Sequence, residues 1–167
     1  MTLLRFLAPA AAAVMVLASA APGAAAAPEQ FGPFEESYSF TVDCGPFDVA
    51  ISGTASTRYT RFTDSEGNVT RVQQFVSAPA DTWVNLTSQE SIVVRGNFLQ
   101  TWDASNGQLA IVGFRYLVNE PGDGVTVQEV GRIIYADRTE LEVISMTGQH
   151  EVYSEELIGP AFCGELE

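Results

Sequence analysis

Two cysteines carry the best-defined chemistry in the sequence. Cys44 lies near the start of the expected mature chain, and Cys163 lies four residues before the end. An even cysteine count in an exported chain favours a disulfide, which the loop-entropy description values at roughly 4–5 kcal/mol for so long a loop. A catalytic thiol would instead require a nearby base, and the chain has one histidine. We therefore predict a structural Cys44–Cys163 disulfide.

His150 limits which other chemistries are available. As the only histidine it rules out a multi-histidine metal site, and a Ser-His-Asp triad would have to use it. Its place at a predicted strand end or loop is typical of an exposed residue, which is what we expect. The chain also has no lysine, no nucleophile elbow, no phosphate-binding loop and no dinucleotide fingerprint. We accordingly assign no catalytic residue, no metal and no cofactor.

Three arginines and one glutamate are the candidate ligand-binding residues: Arg95, Arg115, Glu129 and Arg132. If Trp102 lies opposite Gln108 across the loop Asp103–Gly107, then Arg95 faces Arg115, and Arg132 shares their side of the sheet. This side is either a polar lumen that binds an anion through guanidinium groups or, as we favour, an outer face.

The opposite side of these strands is apolar and makes the better core. It carries Val94, Phe98, Val112, Phe114, Tyr116, Val127 and Ile133. A link of three residues, 136–138, would place Leu141 opposite Ile133 and Glu142 opposite Arg132. Glu129 falls among the apolar residues, so either the register slips near it or it is a buried carboxylate with a partner. In the second case it is the first candidate for a functional group.

Paired carboxylates could do glycosidic acid/base work or bind calcium. Almost all of these pairs lie in predicted turns, where acidic residues are common for conformational reasons. They are Glu35–Glu36, Asp64 with Glu66, Glu120 with Asp123, and Glu155–Glu156. We do not take them as sites.

The alternation of apolar and polar residues predicts an all-β fold. This fold would position the candidate side chains named above. About eight or nine strands, joined by short Gly-, Asn- and Asp-rich loops, indicate an antiparallel meander. Such a meander hides its edges most simply as a closed barrel, and a two-sheet β-sandwich is the alternative. The expected organisation is a flexible lead at 28–35 and a single domain at 36–167, with a short helix from Ser154 through Ile158.

Residues 1–27 have the pattern of an export signal, with Arg5 ahead of an alanine-rich apolar stretch. Cleavage is expected after Ala27, with Ala20 as an earlier possibility. The mature protein is then secreted, with no membrane anchor. A formal net charge of −13 argues against nucleic acid as a partner. No pattern indicates an oligomeric state.

Several motifs give the chain a family resemblance. It resembles small secreted β proteins of unknown function from high-GC Gram-positive bacteria, through its alanine-rich signal, Cys44-Gly45, Gly131-Arg132 and Phe162-Cys163-Gly164. This resemblance implies no activity. The layout is also similar to lipocalin-like barrels, which often tie a C-terminal segment to the barrel by a disulfide, although the lipocalin Gly-x-Trp signature is absent. Dirigent and allene-oxide-cyclase barrels are a further structural analogy.

The expected function is binding rather than catalysis. Long strands rich in large apolar side chains favour a β-barrel that holds a small apolar or amphipathic ligand. The acidic surface favours, as an alternative, an extracellular or cell-envelope interaction module with a basic partner. A barrel isomerase or a carboxylate-based hydrolase is the third possibility.

Overall fold

The computed structural model describes residues 27–120, 124–153 and 155–167. The predicted signal peptide, apart from Ala27, and Ser154 lie outside these ranges. In the described part of the chain, no helix is long and apolar enough to cross a membrane.

Seven antiparallel strands form a single sheet in chain order, which confirms the all-β meander. They are β1 (Glu29–Asp43), β2 (Asp48–Thr63), β3 (Val69–Asn85), β4 (Ser91–Asp103), β5 (Leu109–Glu120), β6 (Gly124–Tyr135) and β7 (Val143–His150). One helix follows, α1 (Glu155–Gly164). Because the strands of the described residues share one sheet, the alternative two-sheet sandwich is not observed there.

The strand count is lower than predicted because two strands continue through local breaks. β2 runs through Gly53, and β3 runs through Pro79. The pairing register shifts between Ala78 and Asp81, where an irregularity accommodates a residue that has no N–H to donate. β1 also begins earlier than expected, so Glu29–Glu35 belongs to a strand rather than preceding it.

The sheet ends at β1 on one side and β7 on the other. In the described ranges each of these strands is hydrogen-bonded to one neighbour, and the two do not pair with each other. The sheet is therefore not closed.

The predicted pairing of β4 with β5 is wrong by one residue. Trp102 lies opposite Leu109, not Gln108, and Phe98 lies opposite Gly113. The hairpin closes with Asp103 N–H donating to the Gln108 carbonyl, and Gly107 adopts a φ of 75° inside the loop. The one-residue shift reverses the side chains in the first part of β5, so Val112 is on the outer face and exposed.

The predicted link between β6 and β7 is also wrong. Val143 lies opposite Tyr135, so the connection spans residues 136–142 rather than three residues. Glu140 adopts a left-handed φ of 59°, and Ala136 N–H donates to the Glu142 carbonyl. Thr147, not Glu142, faces Arg132, and Met146 rather than Leu141 faces Ile133.

Three glycines form a row across β5, β6 and β7. Gly113 lies opposite Gly131, and Gly131 lies opposite Gly148. Their φ values of 128°, 142° and 127° are accessible to glycine and strained for other residues. A Cβ at any of the three would collide with backbone atoms of the adjacent strand. The row thus allows the backbones of neighbouring strands to approach closely on the inner face of the sheet.

Two apolar clusters fill this inner face. The helix-side cluster joins strands β2 to β6 with the C-terminal segment and includes Val49, Ile51, Trp83, Ile92, Val94, Val118, Val127, Val152, Phe162 and Leu166. The loop-side cluster consists of Leu109, Ile111, Ile133 and Tyr135. The helix α1 covers only the first. It continues through Pro160 to Gly164, beyond its predicted end, with Phe162 almost fully buried beneath it.

Candidate functional site

A belt of polar side chains crosses the inner face between the two clusters. Tyr116, Glu129 and His150 lie opposite one another on β5, β6 and β7. Tyr38 and Asp81 continue the belt on β1 and β3. Polar groups inside an apolar concavity are costly unless they are paired, so their partners decide what the belt can do.

Glu129 is the belt residue that the sequence singled out, and it is buried, with 2% of its surface exposed. One carboxylate oxygen lies 2.5 Å from His150 Nδ1, and the other accepts a hydrogen bond of 3.0 Å from the Val152 N–H. Of the two predicted alternatives for Glu129, the structure shows the buried carboxylate with a partner.

The expectation that His150 is exposed is wrong. Its side chain is 6% exposed, since it ends β7 on the inner face and packs beside Gly131, whose missing Cβ leaves room for the ring. Its Nε2 atom is buried and has no hydrogen-bond partner in the described ranges. When Nδ1 donates to Glu129, Nε2 of a neutral imidazole is an acceptor. A buried ring nitrogen is therefore left available.

A β-bulge places Arg115 in the belt. Between Phe114 and Tyr116 the register of β5 shifts against β6, and the extra residue points inward instead of outward. Arg115 Nη2 lies 2.7 Å from Glu140 Oε2, and both side chains are less than one-fifth exposed. The guanidinium group also lies 5.5 Å from the centre of the Tyr116 ring. Arg115 is therefore engaged by its own neighbours.

Arg95 and Arg132 do not join Arg115. Both are exposed on the outer face, on the side that carries Leu99 and Val112. The expected group of three arginines on one face does not form, because the bulge at Arg115 reverses its direction relative to the other two. The structure brings together Arg115 and Glu129 of the four predicted binding residues.

Three tyrosines in and beside the belt remain neutral. Burial raises the pKa of Tyr116, and it raises the pKa of Tyr135 to about 12. The Tyr135 hydroxyl donates to the Tyr153 carbonyl at 2.6 Å. Burial, together with the neighbouring Asp81, raises the pKa of Tyr38 as well. Phenols with raised pKa values stay protonated at any physiological pH.

Asp81 is a further belt residue that sequence reasoning missed. Its carboxyl group lies with the Tyr38 hydroxyl over Gly53, in space that a Cβ would occupy. Burial raises the pKa of Asp81, and the hydrogen bond from Tyr38 partly opposes this effect. The signal was present: Asp81 alternates in phase with Trp83, as Glu129 does with Val127. A charged residue in phase with apolar ones marked the belt on both strands.

An apolar crevice lies beside the belt, under α1. Its volume is about 360 Å³, and it is lined by Val42, Cys44, Val49, Trp83, Gly159, Phe162 and Cys163. The Trp83 and Phe162 rings are 4.4 Å apart at their centres, and Phe162 also contacts Tyr116 edge-on at 5.5 Å. Phe162 therefore separates the crevice from the belt.

The predicted disulfide forms one wall of this crevice. Cys44 and Cys163 are bonded, with Cα atoms 5.7 Å apart and a sequence separation of 119. The bond ties α1 to the turn after β1. Trp83 Nε1 is buried nearby and has no hydrogen-bond partner in the part of the chain that the structure describes. The crevice thus combines an apolar lining with one free donor.

Other cavities have a more polar lining. A cavity of about 420 Å³ includes Gln30, Arg58 and Gln73, and one of about 610 Å³ includes Arg71 and Asp103. Neither is covered by α1. Within residues 27–120, 124–153 and 155–167, no three His, Cys, Asp or Glu side chains are grouped as a metal site. Asp64, one of the paired carboxylates, instead accepts hydrogen bonds from its own turn.

No protein-family model matches this sequence, and comparisons with curated proteins and with solved structures give no match. Function must therefore be inferred from the crevice and the belt themselves.

Proposed function

We propose that the mature protein is secreted and binds a small, neutral, amphipathic ligand in the crevice under α1. The crevice itself carries this proposal. Its volume of about 360 Å³ lies within the range of small-molecule sites, and its seven lining residues bear no charge. The crevice is formed between the sheet and α1, so binding does not require a closed barrel.

The lining and the surface charge indicate the class of ligand. An apolar body is favoured by the aliphatic and aromatic walls, and one hydrogen-bond acceptor is favoured by the free indole N–H of Trp83. A net charge of −13 disfavours an anionic head group. A long-chain alcohol, ketone or ester fits these conditions. Secretion is supported by the export-signal pattern and by a disulfide of the kind that persists in oxidising compartments.

A blocked crevice tests this proposal. Gly159 has open space around it and no left-handed φ, so Gly159→Leu should fold and fill the crevice. Gly164 lies on the same helix, outside the lining, and has the same freedom, so Gly164→Leu is the matched control.

The measurement is binding of decanol, followed by Trp83 fluorescence in a Trp102→Phe background. Decanol should shift the emission of the parent and of Gly164→Leu. The same shift in Gly159→Leu should require a decanol concentration at least tenfold higher. Equal binding by all three proteins would refute the crevice as the site. Native mass spectrometry of protein purified from its secretion medium would reveal a retained natural ligand.

A second function, acid/base catalysis, is favoured by one observation. The Glu129–His150 pair has the arrangement of a catalytic dyad, in which a carboxylate orients one ring nitrogen and leaves the other free. In this role Nε2 of His150 would take a proton from a substrate, and Glu129 would stabilise the resulting imidazolium.

The single histidine allows a direct test of that second function. Diethyl pyrocarbonate should modify His150 in the folded protein if Nε2 faces a reachable site. The protein unfolded in urea is the control for complete reaction. A folded protein that reacts only as it unfolds would show that the dyad is structural.

A further inference from the structure

The two edges of the sheet differ in how they are protected against pairing with another strand. β1 carries Glu29, Glu35, Glu36 and Asp43, and Pro33 removes one N–H from its edge. Charges and proline are the features that usually prevent edge-to-edge pairing. A second strand added along β1 would meet several carboxylates in a protein that is already strongly acidic.

The edge of β7 lacks this protection. Val143–Gln149 contains no charged residue and no proline, and the strand ends at His150. Six consecutive residues, Ile144–Gln149, are exposed. Among them Ile144 is 50% exposed and Met146 is 47% exposed, and Leu141, just before the strand, is 80% exposed. An uncharged, apolar edge with unpaired backbone groups is a template for strand addition.

We propose that β7 is a self-association surface, at which two copies of this chain pair their β7 strands antiparallel about a two-fold axis. A strand paired with its own copy is self-complementary, as an isologous interface requires. Pairing centred on Met146 keeps the inner faces of both copies on the same side. The interface would then be the one edge of the sheet where two acidic chains meet without opposing carboxylates.

A second copy fits this edge better than an unrelated peptide. Met146 lies opposite Ile133 on the inner face, so its exposed surface continues the loop-side cluster beyond the edge. In the two-fold arrangement Met146 meets Met146 of the other copy, and the two loop-side clusters become one. The added strand also satisfies the free backbone groups of both edges at once.

Sedimentation of the mature, oxidised protein over a range of micromolar concentrations tests this proposal. The parent protein should form a dimer. Met146→Lys and Met146→Glu should each weaken association by about tenfold or more, because like charges then face each other across the axis. An equimolar mixture of the two variants should restore a dimer, which loss of folding could not produce.

Phe40→Lys provides the matched control at the other edge. Phe40 is 52% exposed on β1, opposite the buried Ile51, and its substitution should leave the dimer intact. A parent protein that stays monomeric up to hundreds of micromolar would overturn the proposal. So would a dimer that Phe40→Lys dissociates and Met146→Lys does not, or a stable complex that contains only a different protein.

Discussion

The helix-side and loop-side clusters are built from very different parts of the chain. The helix-side cluster combines five strands with a C-terminal segment that returns from the far end of the sequence and is bonded through Cys44–Cys163. The buried residues of the loop-side cluster come from two adjacent strands, β5 and β6. Among the described residues, only the first cluster has an apolar crevice under a helix. This crevice is thus found where the packing depends on a docked segment rather than on a local hairpin.

Loss of the disulfide should produce the largest difference in stability between the two clusters. In a Cys44→Ser/Cys163→Ser variant, no bond joins these two positions, which are separated by 119 in sequence. The free energy of unfolding should then fall by about 5 kcal/mol in the loop-entropy description. Hydrogen exchange should show α1 and Trp83 losing protection first, while Ile111 and Ile133 keep theirs. Equal loss of protection at both clusters would contradict this difference. The melting temperature gives the total effect.

Matched aromatic truncations compare the clusters directly. Phe162 is 1% exposed in the helix-side cluster, whereas Phe98 is only partly buried against the loop-side cluster. Because the cost follows the apolar area and the cavity that is left, Phe162→Ala should lower the free energy of unfolding by about 4 kcal/mol and Phe98→Ala by about 2 kcal/mol. Urea denaturation measures both values. A larger loss for Phe98→Ala would reverse the ranking of the clusters.

The smallest expected effect concerns the polar belt between the clusters. Burial raises the pKa of Asp81 above its ordinary value of 3.8, so folding favours the protonated carboxyl group. The stability contributed by this group is present at low pH and is lost as pH rises through the folded-state pKa. Asp81→Asn stays neutral, so its melting temperature relative to the parent should rise as pH increases above about 4.

Control measurements assign this pH effect to Asp81 itself. Tyr38 lies beside Asp81, and since burial raises the pKa of Tyr38, this tyrosine does not titrate in the acidic range. If the difference in melting temperature between the parent and Asp81→Asn stays constant from pH 4 to pH 8, Asp81 ionises as freely in the folded protein as in the unfolded one.

The sequence predicted those features that depend on local patterns. Alternation of side chains predicted the all-β meander, and the even cysteine count beside an export-signal pattern predicted the Cys44–Cys163 bond. Glu129 stood out because a carboxylate in phase with Val127 must be buried or displaced. It is buried and paired with His150.

Features that depend on one extra residue could not be predicted in the same way. The bulge at Arg115 and the loop conformation at Glu140 each shift the pairing register of adjacent strands. The alternation of apolar and polar residues does not indicate where an extra residue is inserted. The burial of His150 follows from its alignment with Glu129, which in turn depends on the β6–β7 register. Three arginines were therefore grouped wrongly, and the dyad partner was missed.

The row formed by Gly113, Gly131 and Gly148 gives a way to recognise distant relatives of this chain. Each glycine is required by a backbone contact with the next strand, so none can change alone without moving that strand. Exposed positions such as Arg95 and Arg132 face no such restriction. A profile built on the spacing of these three glycines, with a cysteine at each end of the domain, should detect homologues whose remaining sequence has diverged beyond direct alignment.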